Sequence, residues 1–196
     1  MTPPIQNAAP QDPSVRYVSF SAEINVKTSE PLIALMAQYV TQGVTEVNLL
    51  LSTPGGDVLH GMALYTTLKG LPFRVVTHNV GSVNSIGNAV FLAGEPRYTV
   101  PHGTFMFHGV GFDTTPGQRL ERKILKQCLD GIQADEKRIA EIIADRTMID
   151  LRAAQRLFLE ASTKDAAYAV SKGIVHEVRE LQIPPGVAYA AFTFQR

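Results

Sequence analysis

The sequence predicts an α/β domain on a largely parallel sheet, and three observations lead there. Short apolar runs of strand length alternate with longer stretches whose apolar residues recur at helical spacing, the order that produces parallel strands joined by crossover helices. The breaks between them are short glycine and proline turns, as at Pro54-Gly55-Gly56, Gly81 and Pro101-His102-Gly103. With 196 residues, 45% hydrophobic and 18% charged, the chain has the size and balance of one domain with a substantial core.

Residues 1–14 contain Pro3, Pro4, Pro10 and Pro13 and lack the basic and apolar stretches of a secretory signal, so a flexible arm is expected there. Val15 to Ile24 is strand-like. Thr28 to Val40 carries Leu32, Leu35, Met36 and Tyr39 at helical spacing, with Thr28 or Ser29 as the N-cap and Pro31 in the first turn. Glu46 to Leu51 is a short buried strand ending at the Pro-Gly-Gly turn. A helix follows from Val58 to Leu68, with Leu59, Met62, Ala63 and Leu64 expected inward. Phe73 to Asn79 is the next strand, ending near Gly81, and Ser85 to Ala93 is a helix of small residues. Arg97 to Val100 and Thr104 to His108 are strands.

The longest helical pattern, Gln118 to Arg146, sets Leu120, Ile124, Cys128, Ile132, Ile139 and Ile143 on one face and a dense set of charges, expected in solvent, on the other. Leu151 to Glu160 and Ala166 to Ser171 are shorter helices, and Gly173 to Val178 is a closing strand. Val187 to Phe194 is an apolar run that is either an edge strand or a subunit contact. The expected division is an arm (1–14), a domain (15–180) and a C-terminal tail (181–196).

Eighteen basic residues balance eighteen acidic ones, so no global field attracts nucleic acid or anionic lipid. No stretch approaches the roughly 20 apolar residues of a membrane span, and none is expected. Cys128 is the sole cysteine, which forbids an intrachain disulfide and fits a reducing, cytoplasmic setting; its neighbours Leu125 and Leu129 give it a packing role. The five histidines show no metal-ligand spacing, and the glycines fit neither a phosphate loop nor a dinucleotide fingerprint, so neither metal nor cofactor is expected.

Two segments carry chemistry, Ser52-Thr53-Pro54-Gly55-Gly56-Asp57 and Gly81-Ser82-Val83-Asn84-Ser85-Ile86-Gly87, with Phe105-Met106-Phe107-His108 downstream. Both follow strand-like runs, and in open α/β sheets ligands collect at the carboxyl ends of strands. Ser85, at a helix start, is a candidate nucleophile, and the N–H of Ile86 is a natural donor to a developing oxyanion. Gly56 offers a second donor, because glycine lets backbone approach a substrate closely. His108 can carry the serine proton. Singly these are a helix cap, a turn and a core histidine. In this order they are the parts of an acyl-transfer site.

The same motifs resemble the proteolytic subunit of the Clp protease family, serine peptidases of the crotonase-like superfamily. Leu50 to Gly56 resembles the family's N-S-P-G-G turn, Gly81 to Gly87 its G-x-A-A-S-M-G segment, and Phe105 to His108 its V-M-I-H strand. Phe20 to Asn25 and Ala169 to Val175 resemble its early strand and closing segment, so the resemblance covers roughly residues 15–178. It implies a single-domain Clp protease (crotonase-like) fold with repeated β-β-α units and a protruding handle helix, here Gln118 to Arg146, through which two rings meet. It makes Ser85 the nucleophile, His108 the general base, and Gly56 and Ile86 the oxyanion donors. The implied protein is a homo-oligomeric ring that hydrolyses peptides or unfolded proteins without a cofactor.

Two departures stand out. Counting back from Gly173 places Ala161 where the family has the aspartate of its triad; Glu160 and Asp165 are the nearby candidates for that third member. The N-terminal arm lacks the family's longer apolar axial loop, which counts against docking with an ATP-driven unfoldase. The alternatives are a catalytically impaired Clp-like ring subunit or scaffold and, more remotely, a crotonase-type acyl-CoA enzyme.

Overall fold

The computed structural model describes residues 14–193 except 116 and 118. The arm expected over residues 1–14 therefore lies outside the described residues apart from Ser14, as does Gln118, the expected start of the long helix.

The strands are β1 (Val15–Ser21), β2 (Glu46–Thr53), β3 (Arg74–Asn84), β4 (Arg97–Thr99), β5 (Thr104–Met106), β6 (Thr163–Lys164), β7 (Glu177–Val178) and β8 (Ala188–Thr193). Between them lie the helices α1 (Val26–Thr41), α2 (Val58–Gly70), α3 (Gly87–Leu92), α4 (Arg122–Arg146), α5 (Leu151–Glu160) and α6 (Ala166–Ser171). One sheet runs β6-β5-β3-β2-β1-β8, parallel throughout except for the antiparallel β5–β6 pair. The central strand β2 buries Val47, Asn48, Leu49, Leu50 and Leu51 in succession, the continuous pattern of a strand covered on both faces. The helices pack in series, α1 on α2, α2 on α3, α3 on α4 and α4 on α5.

The fork in β3 positions the site. Its Thr77–Asn79 stretch pairs with β4, while Ser82–Asn84 pairs with β5, and β4 passes the sheet on to β7. The register against β2 slips between Leu51 and Thr53, so β3 runs through Gly81 to Asn84 rather than ending near Gly81 as expected. A side chain at Gly81 would stand 3.1 Å from Ser52 Oγ, and glycine leaves that contact open. The end of β3 thus lies beside the end of β5.

Several expectations are corrected. The N-cap of α1 is Asn25, not Thr28 or Ser29: Asn25 Oδ1 accepts from Lys27 N, and Thr28 Oγ1 accepts from Asn25 N at 3.0 Å as the third-position partner of a capping box. Leu59 and Ala63 face solvent, Leu59 at 70% exposure, while Gly61, Leu64 and Leu68 face inward. The physical reason is Gly61, whose missing side chain admits Ile86 against the helix: a Cβ there would meet Ile86 Cγ1 at 2.2 Å. The closing strand shrinks to β7, because Gly173 (φ +67°), Ile174 and Val175 are spent ending α6, the last two by donating to the Ala169 carbonyl. Of the two readings of the C-terminal run, an edge strand is found: β8 pairs parallel with β1.

The long helix is buried only in its second half, through Ile139, Ala140, Ile142 and Ile143. Ile124, Cys128 and Ile132 are half-buried, and Leu125 and Leu129 are 45% and 52% exposed. Packing of Cys128 is therefore partial. The C-terminal end of α4 is fastened by buried Arg97, whose guanidinium donates to the carbonyls of Gly94, Arg146, Gly173 and Ile174. Such satisfaction is what makes a buried cation tolerable.

Candidate active site

Ser85 is the first residue after β3 and sits in the left-handed region, φ +55°, before the chain enters α3. A serine there is strained, and strain at a sharp strand-to-helix turn projects a side chain from the backbone. Four hydrogen bonds hold the turn. Ser85 N donates to Met106 O at 2.8 Å, and the Asn88 side-chain amide donates to the carbonyls of both Ser85 (3.0 Å) and Met106 (2.8 Å). Asn88 N also donates to Ser85 O at 3.0 Å. Asn88 was missed in the sequence, where it looks like one more polar residue in a small-residue helix. Its position three residues after the serine is the signal that was available.

The Pro54-Gly55-Gly56 turn closes on Ser85 from the other side. Gly55 (φ +93°) packs so tightly that a side chain would lie 2.6 Å from Ser85 Cβ. Gly56 (φ +142°) leaves no room at all: a Cβ would stand 2.2 Å from the Ile24 carbonyl oxygen. Ile24 N donates to Gly55 O at 2.7 Å and Asp57 N donates to Ile24 O at 2.8 Å. Because the peptide is trans, binding the Gly55 carbonyl to Ile24 directs the Gly56 N–H away from it. Neither Gly56 N nor Ile86 N finds a backbone acceptor among the described residues. Two unspent donors therefore flank Ser85.

Gly56, Ser85, Ile86 and His108 line one pocket of about 100 Å³, with apolar walls that include Val58, Phe107, Ile139 and Phe158. Sequence-expected Ser85, His108, Gly56 and Ile86 are thus brought together. His108 is exposed, and no hydrogen bond joins it to Ser85 among the described residues. It follows β5, whose ladder with β6 pairs Phe105 with Lys164 and Met106 with Thr163, and Phe107 N donates to Ser162 O. Continued by two residues, that register sets Ala161 level with His108. Ala161 has φ +47° and carries only a methyl group.

Neither Glu160 nor Asp165 forms a hydrogen bond or ion pair with His108 among the described residues. Glu160 lies 3.4 Å from Lys164 Nζ, and Asp165 caps α6 by accepting from Tyr168 N at 2.8 Å. A carboxylate does reach the segment after His108 from a place the sequence did not indicate. Glu136 of α4 accepts from Val110 N at 3.1 Å. No cluster of His, Cys, Asp or Glu suited to a metal occurs among the described residues, and no described helix is long and apolar enough to cross a membrane.

The profile of the Clp protease family matches residues 13–182. The ATP-dependent Clp protease proteolytic subunit 2 of Corynebacterium efficiens is 35% identical over 95 residues, 45% of this chain and 46% of the relative. The subunit of that name from Corynebacterium diphtheriae is 29% identical over 131 residues, 64% and 60% of the two chains. The chain spans about half the length of the curated relatives it matches. Among solved structures, a variant of ClpP1 from Listeria monocytogenes superposes with a TM-score of 0.73 at 20% identity, covering 85% of this chain and 92% of that one. With the fold shared and the family's profile spanning nearly the whole described region, the chain belongs to the Clp protease family.

Proposed function

We propose that this protein is a serine endopeptidase of the Clp type that cleaves peptides or unfolded chains through an acyl-enzyme, within a homo-oligomeric ring in the cytoplasm. The observation that carries the reading is Ser85 itself, held at positive φ between the unspent N–H groups of Gly56 and Ile86 and sharing a pocket with His108.

In this reading Ser85 Oγ attacks the scissile carbonyl while His108 accepts its proton. The two N–H groups receive the oxyanion, an interaction worth about 3–4 kcal/mol per donor in comparable sites. His108 then gives the proton to the leaving amine, and the same histidine activates water to release the acyl group. The apolar walls beside Ser85 suit an apolar substrate side chain. Residues 15–180 form the working domain, and the half-exposed leucines of α4 suit contacts between rings.

The test is hydrolysis of fluorogenic peptides by the assembled protein, alongside Ser85→Ala and His108→Ala. Turnover that falls at least about a thousandfold in both variants supports the peptidase. A second reading, a ring subunit with impaired catalysis, draws on Ala161 standing level with His108. Absence of turnover in folded, assembled wild type would favour it.

A further inference from the structure

A serine–histidine pair works poorly without a group that fixes the imidazole and steadies its positive charge. Continued two residues past the paired ones, the β5–β6 register brings Ala161 level with His108. The carboxylates nearest in sequence are engaged elsewhere, Glu160 beside Lys164 and Asp165 on the N-terminus of α6.

Glu136 is different. It projects from α4 one turn before Ile139, a wall of the Ser85 pocket, and its carboxylate lies over the chain leaving His108. Glu136 Oε1 accepts from Val110 N at 3.1 Å, and a side chain on Gly109 would come within 2.8 Å of that same oxygen. Both residues following His108 are therefore in touch with this one carboxylate. Its second oxygen, Oε2, has no partner among the described residues.

We propose that Glu136 supplies the carboxylate that orients His108 and steadies its protonated form, in place of the side chain that Ala161 lacks. Oε1 anchors the His108–Val110 segment to α4, and the open Oε2 is the acceptor for an imidazole N–H when His108 turns toward Ser85. Glu136 acts through His108 and is a positioning residue. The inference rests on the reading of Ser85 and His108 as a reacting pair.

Other charged groups near the mouth have partners of their own or line the adjoining cleft. Asp57 is bound to His60 and Asp135 to Arg138, while Glu23 and Asp113 line the adjoining cleft with Gly111. Lys164, across β6, is drawn toward Glu160.

The experiment follows modification of His108 by diethyl pyrocarbonate, which reacts with neutral imidazole, across pH in the assembled wild type, Glu136→Gln and Glu136→Gln combined with Ala161→Asp. Peptide mass spectrometry gives the midpoint for His108. Glutamine keeps an oxygen for Val110 N and removes only the charge, so a role confined to anchoring the chain leaves the rate of Ser85 labelling unmoved. The expected result is a lower midpoint in Glu136→Gln, restored by Ala161→Asp, because a nearby anion favours the imidazolium. An unchanged midpoint overturns the proposal. Fluorophosphonate labelling of the same samples is expected to slow about tenfold in Glu136→Gln and recover in the double variant. If wild type takes no label, the peptidase reading fails, while the His108 midpoint still decides whether Glu136 serves the imidazole.

Discussion

The two sides of the Ser85 pocket are built to different standards. On the serine side the backbone is placed by several contacts: Gly55 touches Ser85, Gly56 is pinned against Ile24, Gly61 admits Ile86, and Asn88 bridges two carbonyls. On the histidine side the chain leaves its strand at Met106, His108 is exposed, and one hydrogen bond from Val110 to Glu136 ties the next residues to a helix. The strained serine needs over-determination to persist, since a left-handed non-glycine residue relaxes unless its surroundings forbid it. The histidine has no such demand: Phe107 before it is tied to Ser162, and Val110 after it is tied to α4. A half-exposed helix thereby holds the chain after His108, while the sheet holds Ser85.

The hardest blow to the serine side is Gly56→Ala. A methyl group 2.2 Å from the Ile24 oxygen, at φ +142°, requires the turn to move. Urea denaturation is expected to show a loss on the order of 3 kcal/mol, with labelling of Ser85 abolished. A folded, fully reactive variant would show that the turn is not the rigid wall described here.

The histidine side can be titrated only while the sheet stays folded, and His78 sets that window. Its side chain is 6% exposed on β3, and burial pushes its pKa down to about 4 from 6.5. His78 Nε2 lies 2.9 Å from Asn48 Oδ1; the Asn48 amide nitrogen donates to Glu46, so the ring nitrogen carries the proton in this contact. The unfolded chain takes up a proton on this histidine near pH 6.5 and the native state does not until about pH 4. Stability is therefore full above about pH 6.5 and declines on the order of 2–3 kcal/mol as pH falls toward 4. Denaturation across pH should show that decline, and His78→Gln should flatten it. A decline of equal size in the variant would assign the acid lability elsewhere.

A smaller change separates the two sides more finely. Asn88→Ala removes two hydrogen bonds that tie Ser85 to Met106, and a loss of about 1–2 kcal/mol is expected together with slower serine labelling. The diethyl pyrocarbonate midpoint of His108 should not shift, because Asn88 reaches the backbone before the histidine and not the imidazole. A shifted midpoint would mean that the two sides are coupled through β5.

Much of this was legible in the sequence because it rests on local chemistry. The apolar run at Glu46 to Leu51 and the helical stretch at Leu151 to Glu160 mark their elements closely, and the Pro-Gly-Gly turn, Ser85 and His108, which share one pocket, stand out by type and order. What was hidden depends on contacts distant in the chain. Which face of α2 turns inward was decided by Gly61 meeting Ile86, and periodicity pointed to Leu59 instead. The two-residue β6 is too short to leave a pattern, yet its register, continued by two residues, brings Ala161 level with His108. Glu136, one charge among many on a long helix, gains meaning only once α4 lies across the chain after His108.

The central claim is that Ser85 is an activated nucleophile, and its most direct test is fluorophosphonate labelling of the assembled protein with the modified residue identified by peptide mapping. The account predicts a single adduct on Ser85, absent in Ser85→Ala and strongly slowed in His108→Ala. Folded, assembled protein that takes no label, or takes it at another serine, would contradict it.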